Sequence, residues 1–387
     1  MSALISVRGF TRGKCLGLVV GFALAGLATS AASARETRSF TFKLFAPAIY
    51  SQDDNCPSGL NPLSHDIFMN LLNSNGKTKD EAEAVIDKIV TGGPAGREAS
   101  KIITERGTFD GKKVNAYANP LTVPDPGFKT AVGRYAYGFD LDGKGATPGS
   151  FEDPETHQKG VDNGLFRVYG CLANHVQAPG ASPNYPLETW EMILDTMPAW
   201  VLSVTGADLS KDGDVTVTID RAINSTLRDA HGHVRHDQTF QIDSDPRSHT
   251  VFQGKIENGV LNVKAPSMFL LGDQFFLTEF DLTNVNIRLK LKEDGAAEGF
   301  LGGYLKWMSV YFQHAGNGLN AETFRGMDIV GLYHAFRRTA DADPDPVTGQ
   351  NTRLSSAWRI ELVPAFVIPA NRGTPGQEQT ASAPQPQ

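Results

Sequence analysis

No apolar run in this sequence is long enough to cross a bilayer as a helix, which takes about 20 residues. The longest, Leu16 to Ala28, covers 13. Cysteine is scarce, with three in 387 residues, and that excludes a small fold framed by disulfides. Several local signatures are missing. There is no Gly-x-Ser-x-Gly elbow, no Cys-x-x-Cys-His, no His-Glu-x-x-His and no Gly-x-x-x-x-Gly-Lys-Ser/Thr loop, so the chemistries that those patterns mark have no local support. Positive charge is also short. A formal net charge of −7 repels nucleic acid and anionic lipid, and it favours bound cations.

What is present begins with an export pattern. Arg8, Arg12 and Lys14 precede the apolar run, no acid accompanies them, and Ala32-Ser33-Ala34 supplies small residues ahead of Arg35-Glu36-Thr37-Arg38. This predicts a signal peptide over residues 1–34, cut after Ala34, and a periplasmic or extracellular chain with no transmembrane segment once cut. Cys15 lies before the apolar run and so is not placed like a lipoprotein cysteine. Cleavage would take the formal charge from −7 to −10 and leave Cys56 and Cys171. Two cysteines in an oxidising compartment are expected to pair; two free thiols are the alternative. Closing so long a loop would stabilise by about 4 to 5 kcal/mol in the chain-entropy account.

The remaining chain divides by pattern. Residues 35–200 read as a mixed α/β region. A strand opens it, with Phe40, Phe42 and Leu44 alternating with polar neighbours. A helix follows, started by a Thr78/Glu81 capping box and ended by Gly92-Gly93. Residues 135–186, rich in Gly, Asp and Pro, read as a long ordered loop, and Leu187 to Met197 as a short helix. Residues 201–369 read as antiparallel strands: Val215, Val217 and Ile219 alternate with polar residues, Asn258-Gly259 marks a hairpin, and Val285, Ile287, Leu289 and Leu291 alternate again. One helix is expected over 320–338 and a closing strand over Ala357 to Ile368. Residues 370–387, rich in Gln, Pro, Ser and Gly, read as a disordered tail. The predicted fold is mostly β with helical decorations, an antiparallel β-sandwich or jelly-roll-like sheet.

Three groups of residues could carry chemistry. Asp140-Leu141-Asp142-Gly143, followed by Asp162-Asn163, places oxygen donors at alternate positions with a glycine for the turn. Calcium takes six to eight such oxygens, so Asp140, Asp142, Asp162 and Asn163 are a candidate calcium site; the plain alternative is aspartates capping turns. Asp341, Asp343 and Asp345 have the spacing of an EF-hand start, but Pro346 stands where glycine is required and Thr352 where glutamate is, so that loop is rejected. His231, His233 and His236 could grip a transition metal, or form an exposed hairpin tip. Tyr135, Tyr137, Phe139 and Tyr169 could stack a sugar, though aromatic core is the commoner use.

The segments Asp140-Leu141-Asp142-Gly143 with Gly160-Val161-Asp162-Asn163, Asp294-Gly295-Ala296-Ala297-Glu298-Gly299 running into Gly302-Gly303-Tyr304, and Asp345-Pro346-Val347-Thr348-Gly349 resemble a group of exported bacterial proteins of unassigned function. The resemblance implies a bacterial, exported setting and transfers no activity. The leading expectation is an exported, non-catalytic binding or surface-associated protein with a structural calcium, whose partner is a small molecule, a glycan or a protein. The rivals are a secreted polysaccharide or ester hydrolase with carboxylates drawn from separate strands, and a metal-handling protein using the histidines.

Overall fold

Eight long strands follow one another around a closed antiparallel barrel in this computed structural model, which describes residues 35–176, 185–271, 279–316 and 318–370. The expected signal peptide (1–34) and residues 371–387 of the expected tail lie outside the described residues. The barrel strands are β1 (Glu36–Pro47), β2 (Pro198–Gly206), β3 (Gly213–Ser225), β4 (His249–Glu257), β5 (Val260–Leu271), β6 (Glu279–Leu291), β7 (Ala297–Lys306) and β8 (Asn351–Ile368). Each pairs with its neighbours in sequence, and β1 pairs with β8 from Ser39↔Ala365 to Pro47↔Trp358.

That closing pair corrects the sandwich or jelly-roll expectation. Alternating Val215, Val217 and Ile219 do have one buried face and the Asn258-Gly259 turn does join β4 to β5. Alternation reports only that one face is covered, however, and a sandwich and a barrel satisfy it equally. The choice rests on pairing between strands from opposite ends of the described chain, which has no local signal.

The barrel is filled rather than hollow. The Phe45 ring stacks on Trp358 at 4.7 Å and meets Trp200 and Phe280 edge-on, each at 5.2 Å. Phe40, Phe42 and Phe45 all point inward although their spacing breaks strict alternation, because a bulge between Phe42 and Leu44 shifts the register of β1 against β8. Burying such a side chain stabilises by about 1.5 to 3 kcal/mol. The outer wall carries charge, with Arg288 and Lys290 on β6 and Arg359 and Glu361 on β8, beside a few exposed apolar residues such as Ile223 and Val251. Apolar inside and charged outside is the reverse of a barrel that faces lipid. Among the described residues no helix is long and apolar enough to cross a membrane.

Helices gather beside this barrel. They are α1 (Ser64–Ser74), α2 (Lys79–Thr91), α3 (Gly93–Thr104), α4 (Gly164–Tyr169), α5 (Tyr185–Leu194), α6 (Trp307–Ala315), α7 (Gly318–Arg325) and α8 (Ile329–Thr339). The capping box forms as expected: Glu81 N–H donates to Thr78 Oγ1 and Thr78 N–H to Glu81 Oε2. The single helix expected over 320–338 is instead α7 and α8. Gly326 at φ 65° ends the first, and Asp328 accepts the Gly331 N–H to start the second. Helices α1 to α3 share a small core of Ile67, Phe68, Leu72, Ala82, Ile86 and Ile103, while α4, α6 and α8 pack on β8. A disulfide joins Cys56 to Cys171, tying the segment after β1 to the end of α4.

Candidate functional site

The acidic loop lies flat on the outer wall of the barrel because glycines let it approach. Phe139 rests over Gly302 of β7, where a Cβ would stand 2.5 Å from the ring, and Gly160 meets the backbone of Gly145, where a Cβ would come within 2.4 Å. Asp153, fully buried, holds the loop from inside: it accepts the Thr156 and Glu155 N–H groups at 2.8 and 3.0 Å and pairs with Arg288 at 2.8 Å. Burial alone would push its carboxyl up, but these N–H groups and the guanidinium leave it below the usual range. Asn284, at a bulge in β6, donates to Leu141 O.

Against that scaffold Asp140, Asp142 and Asp162 converge, with one carboxylate oxygen from each lying within 4.8 Å of the others. Asp162 Oδ2 accepts the Leu141 and Asp142 N–H groups at 2.9 and 3.2 Å, and Asp140 Oδ2 accepts Gly145 N–H at 3.1 Å. Asp140 Oδ1 is buried and makes no hydrogen bond. Burial, with Asp142 and Asp341 nearby, pushes the Asp162 carboxyl up to about 6 against the two backbone N–H bonds. The exposed Lys144 stands beside them, its Nζ 2.8 Å from Asp142 Oδ2. Three carboxylates, one of them desolvated, with an oxygen left unpaired, form a donor set suited to a hard divalent ion.

Asn163 has partners of its own. Its Oδ1 caps α4 by accepting Phe166 N–H at 2.9 Å, and its Nδ2 donates to Tyr137 O at 2.8 Å. Among the described residues the three aspartates are the one group placed to share an ion, so His231, His233 and His236 do not form one. These histidines sit exposed on a hairpin whose turn is held by Asp229 Oδ1, which accepts the His231 and His233 N–H groups at 2.8 and 2.9 Å. Asp341, Asp343 and Asp345 have separate tasks: Asp341 accepts from Ser355, Asp343 pairs with Arg353, and Asp345 caps the turn at Val347 and Thr348. Of the four aromatics considered as a sugar shelf, Phe139 and Tyr169 are core, Tyr135 is half-buried beneath Arg134, and Tyr137 is half-buried and stacks on Phe300 at 4.8 Å.

Two buried polar groups carried no sequence signal. Glu322, fully buried on α7, accepts from Tyr117 Oη, lies 3.7 Å from Arg106 Nη2 and has no hydrogen bond at Oε1. Burial pushes it up to about 7 despite Arg106, and buried Asp328 adds to the rise. His314 stands between Tyr169 Oη at 2.6 Å and Arg325 Nη1 at 3.0 Å. Because arginine only donates, His314 Nδ1 is the acceptor and a neutral ring carries its proton on Nε2 toward the tyrosine. Its pKa is held well below the usual value, first by burial and then by Arg325 and His175. These residues come from segments far apart in sequence, so no spacing announces them. No family model, curated protein or solved structure matches the chain.

Proposed function

We propose that this chain is an exported, non-catalytic binding protein in which a calcium ion at Asp140, Asp142 and Asp162 fixes the acidic loop to the barrel wall. The convergence of the three carboxylates carries the reading. A calcium ion would replace Lys144 beside Asp142, give Asp140 Oδ1 a partner and relieve the cost of ionising Asp162; water and backbone carbonyls would fill the remaining positions. The export pattern and the Cys56–Cys171 disulfide support a compartment outside the cytoplasm. The outer wall also speaks against a glycosidase. Glu298 and Glu361 face each other across β7 and β8, but each is paired with lysine, and Lys43 with Arg359 holds Glu361 below the usual range although burial pushes it up. A general acid requires the opposite shift.

Calorimetric titration of the mature chain with calcium, read beside its melting temperature, tests the proposal. One ion per chain and a rise in melting temperature are expected, both lost in Asp140→Asn and Asp162→Asn. A titration with neither heat nor stabilisation would sink it.

A further inference from the structure

The charged wall beside the acidic loop has a shape of its own. Arg288, Phe300 and Arg359 lie in one row across β6, β7 and β8, and Lys290, Glu298 and Glu361 in the next. A hollow of about 350 Å³ sits on these rows, walled on the loop side by Tyr137, Glu155 and Thr156. A second, of about 510 Å³, lies on the other side of Glu298 and is walled by Asp229, His233, Arg235 and His236 of the exposed hairpin. The two hollows share Glu298. Each has the size of a small-ligand site.

From this we infer that the groove running from Tyr137 past Glu298 to His236 binds a neutral oligosaccharide, an inference that rests on the chain being a binding protein but not on the calcium site. The alternatives fail on what lines it. A peptide is captured through a free strand edge or an apolar groove, and this wall belongs to a closed barrel whose strands are paired on both sides and is lined here largely by charged side chains, Arg288, Lys290, Glu298, Arg359 and Glu361 among them. An anionic polymer would meet Glu155, Glu298 and Glu361 set among the cations. Lipid would have to bury both signs of charge. A chain of hydroxyl groups suits such a surface, because interleaved carboxylates and cations offer acceptors and donors side by side, and a half-buried tyrosine adds an apolar body with a polar tip. Among the described residues Lys290 Nζ, the Glu155 carboxylate and Tyr137 Oη make no hydrogen bond or ion pair, so they can turn to a ligand.

The test is titration of the mature chain with cellohexaose, maltohexaose and chitohexaose, alongside hexagalacturonate and an unstructured peptide of mixed charge, with and without a calcium chelator. At least one neutral hexasaccharide is expected to bind, with about tenfold weaker affinity in Tyr137→Ala and a smaller loss in Lys290→Ala, a tenfold change being about 1.4 kcal/mol. Lys290 is exposed, so its variant keeps the fold; Tyr137→Phe, which retains the ring, should keep most of the affinity. Binding that survives the chelator supports the groove whatever the calcium titration gives. The inference is overturned if no neutral hexasaccharide binds, if both alanine variants bind as well as the parent, or if only hexagalacturonate or the peptide binds.

Discussion

Two groups of carboxylates in this molecule are short of water, and they answer it differently. Around Glu322 the protein supplies its own cation and donor, Arg106 and Tyr117, and the cluster is shut off from water, although Glu322 Oε1 makes no hydrogen bond. Around Asp162 it supplies two backbone N–H groups and an exposed lysine, and leaves Asp140 Oδ1 unpaired. Both acids are raised, to about 7 and about 6, mainly by burial. Burial therefore acts alike on both acids; what differs is the counter-charge built in beside them. Each cluster leaves one carboxylate oxygen without a hydrogen bond, Glu322 Oε1 in the first and Asp140 Oδ1 in the second, but only the first has a buried cation of its own.

The largest expected effect concerns what holds the acidic loop without any ion. Replacing Cys56 and Cys171 with alanine should cost about 4 to 5 kcal/mol in urea unfolding by the chain-entropy account. If the proposed calcium binds, the change should also enlarge its stabilising effect, because the disulfide anchors the chain just beyond α4. A calcium increment that is the same in both proteins would mean that the cation site and the disulfide do not share the work.

Next comes the closed cluster. Glu322 is raised in the folded state above its ordinary value of 4.5, so the folded chain binds a proton more tightly than the unfolded one. Stability from this group is fully present below about pH 4.5 and is lost as pH rises through about 7. Arg106→Met removes the charge that limits the loss. Its cost should be about 3 kcal/mol at pH 8, where an unpaired carboxylate is buried, and much smaller at pH 5.5, where Glu322 is protonated. Equal costs at the two pH values would show that Arg106 acts by packing alone.

The smallest effect separates the two clusters most sharply. The Asp162 carboxyl is raised from 3.8 to about 6, so in calcium-free protein its ionisation lowers stability as pH climbs through that window. Asp162→Asn should then melt slightly above the parent at pH 7 without calcium and below it with calcium. Unfolding scans in both conditions read the crossing, and a variant that melts lower in both would reduce Asp162 to a loop brace for the Leu141 and Asp142 N–H groups.

Much of the local structure was legible. The capping box at Thr78, the inward alternation of Val215, Val217 and Ile219, the Asn258-Gly259 hairpin and the Cys56–Cys171 pair each follow from neighbours in sequence or from simple counting. The approach of Asp140, Asp142 and Asp162 was legible in part, since the first two share a turn. The capping role of Asn163 was not legible, because a residue that precedes a glycine-led helix start uses the same side-chain oxygen for a cap as for an ion. The break at Gly326 was missed because the apolar spacing of Met327, Val330, Tyr333 and Phe336 runs on without regard to the φ 65° just before it.

The sequence by itself determined which strands and turns would form, which faces they would bury and which cysteines could pair, because backbone propensity, side-chain alternation and turn chemistry act over a few residues. Only the tertiary structure decided that the sheet closes through β1 and β8, that Glu322 meets Arg106 and Tyr117, and that Arg288, Lys290, Glu298 and Glu361 line up across three strands. Those outcomes depend on register between distant segments, which is set by the packing of the whole core around Phe45, Trp200, Phe280 and Trp358.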